Sequence, residues 1–82
     1  MLTRGAVEAY ALSVRTHNAT RHAIYGENPT GELVHELVDG IDTLHDMAKT
    51  VDAQVYTIDG YYSMEAFDWQ GVHFYACDGK VR

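Results

Sequence analysis

Residues 30–52 read TGELVHELVDGIDTLHDMAKTVD, and the number of helices in the chain turns on this stretch. At 100° per residue, Leu33, Val34, Leu37, Val38, Ile41, Leu44, Met47, Ala48 and Val51 fall on one half of a helix. Glu32, Glu36, Asp39, Asp42 and Asp46 fall together on the other half, and Lys49 is the only Lys or Arg in the stretch. The pattern predicts one continuous acidic amphipathic helix, capped by Thr30, with Glu32 complementing the positive end of its dipole. Gly40 would then sit in mid-helix, at a cost of about 1 kcal/mol relative to alanine, either allowing close packing or marking a bend.

Upstream, Val7, Tyr10, Ala11, Val14 and Tyr25 share a face, so Thr3 to Tyr25 is expected to form a first helix. Thr3 is its expected N-cap and Gly26 with Pro29 its stop signal, and Thr16 to Thr20 is the part expected to bend or break. The short link Glu27-Asn28-Pro29-Thr30 would fold the two helices into antiparallel neighbours.

After Asp52 the hydrophobic period changes from 3.6 to 2. Gln54 to Ile58 reads as a strand, Asp59-Gly60 as a two-residue hairpin turn, and Tyr61 to Phe67 as the returning strand. Asp68-Trp69-Gln70-Gly71 reads as a type I turn with a glycine bulge, leading into a third strand from Val72 to Cys77. Tyr62, Met64 and Ala66 with Val72, Phe74 and Ala76 would cover the helices, leaving Tyr61, Ser63, Glu65 and Phe67 outside beside His73, Tyr75 and Cys77. The expected fold is α+β: a single domain over 1–82, two helices packed on a three-stranded antiparallel sheet, in the order ααβββ.

Eighty-two residues make a small core, and an enclosed enzyme pocket would compete with it for the same few elements. The formal net charge of −6 is unevenly spread. Residues 1–26 hold Arg4, Arg15 and Arg21 against Glu8, a net of +2, while residues 27–82 hold 11 acids against Lys49, Lys80 and Arg82, a net of −8. Direct binding of nucleic acid or an anionic membrane through the larger part is disfavoured; a basic partner is favoured. Cys77 is the only cysteine, and no stretch has the apolar length of a signal peptide or a membrane span, so a soluble cytoplasmic protein is expected.

His35-Glu36-Leu37-Val38-Asp39 looks like the zinc-protease string HExxH with aspartate in place of the second histidine. On a continuous helix His35 and His45 would stand about 15 Å apart, too far to share one zinc. His17, His22 and His73 show no ligand spacing, Cys77 has no evident base beside it, and no glycine-rich phosphate loop is present. No catalytic residue, metal site or cofactor is therefore expected, and the protein is read as a non-enzyme.

The acidic face remains. Glu32 with Glu36, Glu36 with Asp39, Asp39 with Asp42, and Asp42 with Asp46 are like-charge neighbours, each costing about 0.2–0.5 kcal/mol, which a helix needing only solubility would avoid by interleaving lysines. Five carboxylates over about 21 Å approach the phosphate density of a DNA strand. In size, class and acidic character the chain resembles small phage-encoded inhibitors of bacterial defence, among them anti-CRISPR proteins that occupy DNA sites. The resemblance implies a mechanism, inhibition of a basic nucleic-acid-binding protein or complex, and carries over no residue; the acidic face itself points to Glu32, Glu36, Asp39, Asp42 and Asp46 as the residues that engage the partner, in a monomer or weak homodimer. The alternative is a structural or assembly subunit that associates through Tyr61, Phe67, Trp69 and Tyr75 on the sheet.

Overall fold

A computed structural model of the chain describes residues 1–27, 32–60 and 62–81, with the side chains of 78–81 excepted. Its elements are α1 (Arg4–Tyr25), β1 (Val34–Leu37), α2 (Ile41–Thr50), β2 (Tyr56–Ile58), β3 (Tyr62–Trp69) and β4 (Val72–Val81). The class is α+β with two helices, as expected. The sheet, however, has four strands in the order β1-β4-β3-β2, with β1 parallel to β4 and the other pairs antiparallel.

The fourth strand comes out of the stretch that reads as one helix. Val34 N–H donates to Gly71 O at 3.0 Å and Val38 N–H to Tyr75 O at 2.7 Å, tying residues 34–38 along β4. These bonds satisfy the flank of β4 that faces away from β3, so tertiary pairing overrides a helical periodicity that is only a weak local preference. The chain leaves β1 at Gly40, whose φ of 97° and ψ of 141° no helix interior admits, and α2 starts immediately after it. Gly40 is thus the N-cap of a ten-residue helix, not the middle of a long one. Thr30, the expected cap, lies outside the described residues.

α1 follows expectation more closely. Thr3 Oγ1 accepts a hydrogen bond from Ala6 N–H at 3.2 Å, and Gly26 closes the helix at a left-handed φ of 66°. The helix runs through Thr16 to Thr20 without a break. Of its residues, Val7 and Ala11 are buried, so the core grips its first half while Ile24 and Tyr25 stand exposed at its end.

Two turns decide which side chains meet α1 and α2. Ile58 pairs with Met64, so Asp59-Gly60 belongs to a connection longer than a two-residue hairpin, and Tyr61 lies outside the described residues. The second turn is tighter than expected: Trp69 pairs with Val72 across Gln70 and Gly71, both at positive φ (49° and 78°), the form that suits a two-residue hairpin. That register reverses the expected alternation of β3. Phe67 and Trp69 share the helix-covered face with Val72, Phe74 and Ala76, and Met64 and Ala66 lie on the other. Phe67 stacks on Phe74 at 5.0 Å between centroids, and the two, fully buried with Val7, Leu44, Met47, Ala48 and Val51, form the centre of the core.

A glycine substitution separates the two readings of residues 30–52 by sign. Within a continuous helix, Gly40→Ala would stabilise by about 1 kcal/mol. At φ 97° it is expected to destabilise by about 1–2 kcal/mol, whereas Gly5→Ala, inside α1 with no atom within 4 Å of an added Cβ, should stabilise by up to about 1 kcal/mol. Urea denaturation of the two variants measures both shifts.

Candidate functional site

The five carboxylates of the expected acidic face are distributed over three elements. Glu32 is exposed and precedes β1, Asp39 is exposed in the turn before α2, and Asp42 and Asp46 are exposed one helical turn apart on α2. Glu36 is separated from them. It lies on the helix-covered side of β1, half-buried, and accepts a hydrogen bond from Tyr10 Oη at 2.5 Å. The evenly spaced row of five therefore does not form, because a strand sends Glu36 and its neighbours to alternate faces. What survives is the pair Asp42 and Asp46 on α2, with Asp39 exposed in the turn that leads into it.

The arginines of α1 do not neutralise these carboxylates. Arg4 pairs with Glu8 at 3.2 Å and lies over the Trp69 ring at 5.6 Å. Arg15 Nη1 donates to Gln70 O at 2.6 Å, holding α1 to the tip of the β3–β4 hairpin. Arg21 lies over the Tyr25 ring at 5.5 Å. Lys49, on the last turn of α2, makes no ion pair with Asp42 or Asp46 within 4.0 Å among the described residues.

Tyr10 and Glu36 form the floor of a cleft of about 500 Å³ between α1 and β1. Its helix wall is one stripe of α1, including Tyr10, Val14, His17 and Arg21; its strand wall is Val34, His35 and Glu36. Burial, then the hydrogen bond to Glu36 and the charge of Glu36, push the Tyr10 hydroxyl up to about 12, so at neutral pH it is a neutral donor.

The face of the sheet away from the helices carries a second constellation. His73 Nδ1 lies 2.6 Å from Asp68 Oδ1, and the Tyr56 hydroxyl donates to the Asp68 carboxylate at 2.9 Å. His35, His73 and Tyr75 form a cluster of rings, with centroids 4.7 Å apart for His35 and His73, 5.8 Å for His73 and Tyr75, and 6.2 Å for His35 and Tyr75. Burial, then the hydrogen bond and charge of Asp68, raise the Tyr56 hydroxyl above its ordinary range. Sequence reasoning placed His73 and Tyr75 on this face but missed Tyr56 and Asp68. The recoverable signal was the turn: a two-residue loop at Gln70-Gly71 puts Asp68 directly opposite His73.

The zinc-protease-like string also resolves differently. His35 and Glu36 are consecutive strand residues on opposite faces, and His45 is on α2, 3.0 Å from Glu65. Among the described residues no three His, Cys, Asp or Glu side chains are grouped so as to hold a metal ion, and no helix is long and apolar enough to cross a membrane.

Comparison with protein-family models, curated proteins and solved structures finds no match to this chain.

The Tyr10–Glu36 contact predicts an alkaline signature. A hydroxyl whose folded value lies above the ordinary 10 contributes stability that is complete below pH 10 and is lost as pH rises toward 12. Tyr10→Phe should cost about 1–2 kcal/mol at neutral pH and make the loss between pH 10 and 12 shallower than in the wild type. Thermal melts across that range test both.

Proposed function

We propose that the protein is a small non-enzymatic binder that engages the basic surface of a nucleic-acid-handling protein and inhibits it by occupying that surface. The observation that carries this is the exposed pair Asp42 and Asp46 on α2, with Asp39 exposed just before it; among the described residues none of the three has an ion pair, and the arginines of α1 are engaged elsewhere. Asp42 and Asp46 are like charges four residues apart, a cost of about 0.2–0.5 kcal/mol; the dipole favours Asp42 in the first turn of α2, but Asp46 lies beyond that turn and gains nothing from it. The cost is recovered when a cationic surface meets them.

With the row of five reduced to three, support comes from the field of the acidic side, −8 over residues 27–82, and no longer from a match to phosphate spacing. Glu32 and Glu36 contribute to that field from β1 and its approach. Inhibition of the kind practised by acidic anti-CRISPR proteins is the proposed outcome, in a reducing cytoplasm that suits the single Cys77.

A second proposal, a structural or assembly subunit, draws on the sheet face that no helix covers. Leu37 is 59% exposed and Tyr56 41% exposed there, beside His35 and Tyr75. Of the residues the sequence pointed to for such a contact, Tyr75 is on this face, Phe67 is buried under the helices, Trp69 is on the helix-covered side beneath Arg4, and Tyr61 lies outside the described residues.

The two separate in one experiment. The double variant Asp42→Lys, Asp46→Lys should keep its circular dichroism spectrum and lose at least about tenfold in affinity for a partner captured from bacterial extract. Wild-type affinity should fall steeply with added salt. Capture that ignores both changes, with a concentration-dependent dimer abolished by Tyr75→Ala in light scattering, would instead favour assembly.

A further inference from the structure

We propose that the outer edge of β1, together with the cleft beneath α1, is a docking site for an extended basic segment of a partner protein, which adds to the sheet as a fifth strand. This rests on the reading of the chain as a binder of basic proteins and gives that binding an atomic form.

Val34 and Val38 direct their N–H groups to β4, and alternation along a strand gives Glu36 the same direction. His35 and Leu37 therefore aim their backbone N–H and C=O groups away from the sheet, at the edge where β1 is the last strand. His35 and Glu36, consecutive residues of β1, both line the 500 Å³ cleft, so it runs along this strand. A second cleft of about 220 Å³ shares His17 and Arg21 with the first and extends it to the exposed Ile24 and Tyr25. Together they form one groove beneath the overhanging half of α1, bordered by an unpaired strand edge. Extended peptides commonly bind such edges, with main-chain hydrogen bonds supplying affinity and alternate side chains supplying specificity.

Charge bears on the occupant at one position: Glu36 is the one acid among the residues that line the groove, while Arg21, at its other end, lies over the Tyr25 ring. If a second copy of this chain paired antiparallel with β1, the outward groups of His35 would exchange with those of Leu37 in the copy. The residue between them, Glu36, would then face Glu36 of the copy at a Cα separation of about 4.5 Å. Like charges directly opposite are destabilising, so the edge resists self-pairing in this register. A strand with Lys or Arg at that position places a cation beside Glu36. Glu36 Oε2 accepts from Tyr10 Oη, and among the described residues Oε1 has no hydrogen-bond donor, so it is the oxygen that would meet the incoming cation.

The test uses the whole chain and blocked peptides of about eight residues, alternating Lys or Arg with Val, Leu or Tyr. Hydrogen exchange followed by NMR should show the amides of His35 and Leu37 gaining protection as peptide is added, with those of Val34 and Val38 unchanged. Glu36→Gln should weaken the Lys peptides roughly tenfold and leave peptides with Gln in place of Lys unaffected. Leu37→Pro removes one outward N–H and should abolish binding. Because that variant could also disturb β1, the wild type is tested in parallel with peptides N-methylated at the residues whose amides would face β1, and these should not bind. Absence of binding by every unmethylated peptide at about 1 mM overturns the proposal. So does binding without protection at His35 and Leu37, or undiminished binding of the N-methylated peptides. The double variant Asp42→Lys, Asp46→Lys keeps the two inferences apart. Edge protection together with partner capture that survives the reversal sinks the α2 pair alone, whereas capture lost on reversal with no edge protection sinks the docking site alone.

Discussion

The flank of β4 turned away from β3 carries backbone donors and acceptors next to the core, and leaving them without partners would cost more than local helix preference can return. Val34 to Val38 supplies the partners. Most of the remaining architecture follows from that pairing. It confines α2 to Ile41–Thr50, it requires the chain to turn at Gly40, and it directs Val34 and Glu36 toward α1 while His35 and Leu37 face the other way. Glu36 meets Tyr10, and His35 meets His73, because a parallel strand lies where a helix would have carried both side chains to other places.

The elements whose signals are local were legible in the sequence. Thr3 and Gly26 bound α1 through cap chemistry that needs no tertiary partner, and the change of period after Asp52 marks the start of the hairpins. β1 was hidden because Val34, Val38 and Ile41 satisfy a helical period, while Val34, Glu36 and Val38 satisfy a strand period once Glu36 has Tyr10 to bond. A half-buried glutamate is not an apolar residue to a pattern search, so the alternation looked broken. The dipeptide Asp39-Gly40 is the same turn signal as Asp59-Gly60, but apolar residues at helical spacing continue across it and mask it. The parity of β3 was lost for a related reason: the length of the loop at Gln70-Gly71 sets it, and a loop two residues longer was expected.

The candidate site was legible as charge but not as geometry. Carboxylates counted along residues 32–46 do sit on the exposed side of the chain, apart from Glu36, and Asp42 and Asp46 keep their helical spacing because α2 is helical there. Spacing across Gly40 could not be inferred, since one residue at positive φ rotates everything before it relative to everything after. The clefts were out of reach for a different reason. They depend on how far α1 overhangs the sheet, which is fixed by Val7 and Ala11 being its buried contacts and by Arg15 holding the tip of a hairpin 55 residues away in sequence.

The two edges of the sheet are managed by different means, and the contrast bears on what each surface is for. β2 is three residues long, and a side-chain bridge from Tyr56 to Asp68 and on to His73 ties it across β3 to β4. The hydrogen bonds of that trio close largely on one another: Asp68 accepts from Tyr56 and holds His73 Nδ1 at once, which links the three strands on this face of the sheet. β1 has no such bridge. Its protection is a single carboxylate, because charge on an edge strand deters pairing with a like copy. Protection of that kind is selective, since it repels only an acidic or identical strand and leaves the edge open to a basic one. An edge closed by geometry excludes every partner, whereas an edge closed by Glu36 discriminates among them, and in a chain whose larger part is strongly acidic that discrimination runs in the same direction as the overall charge.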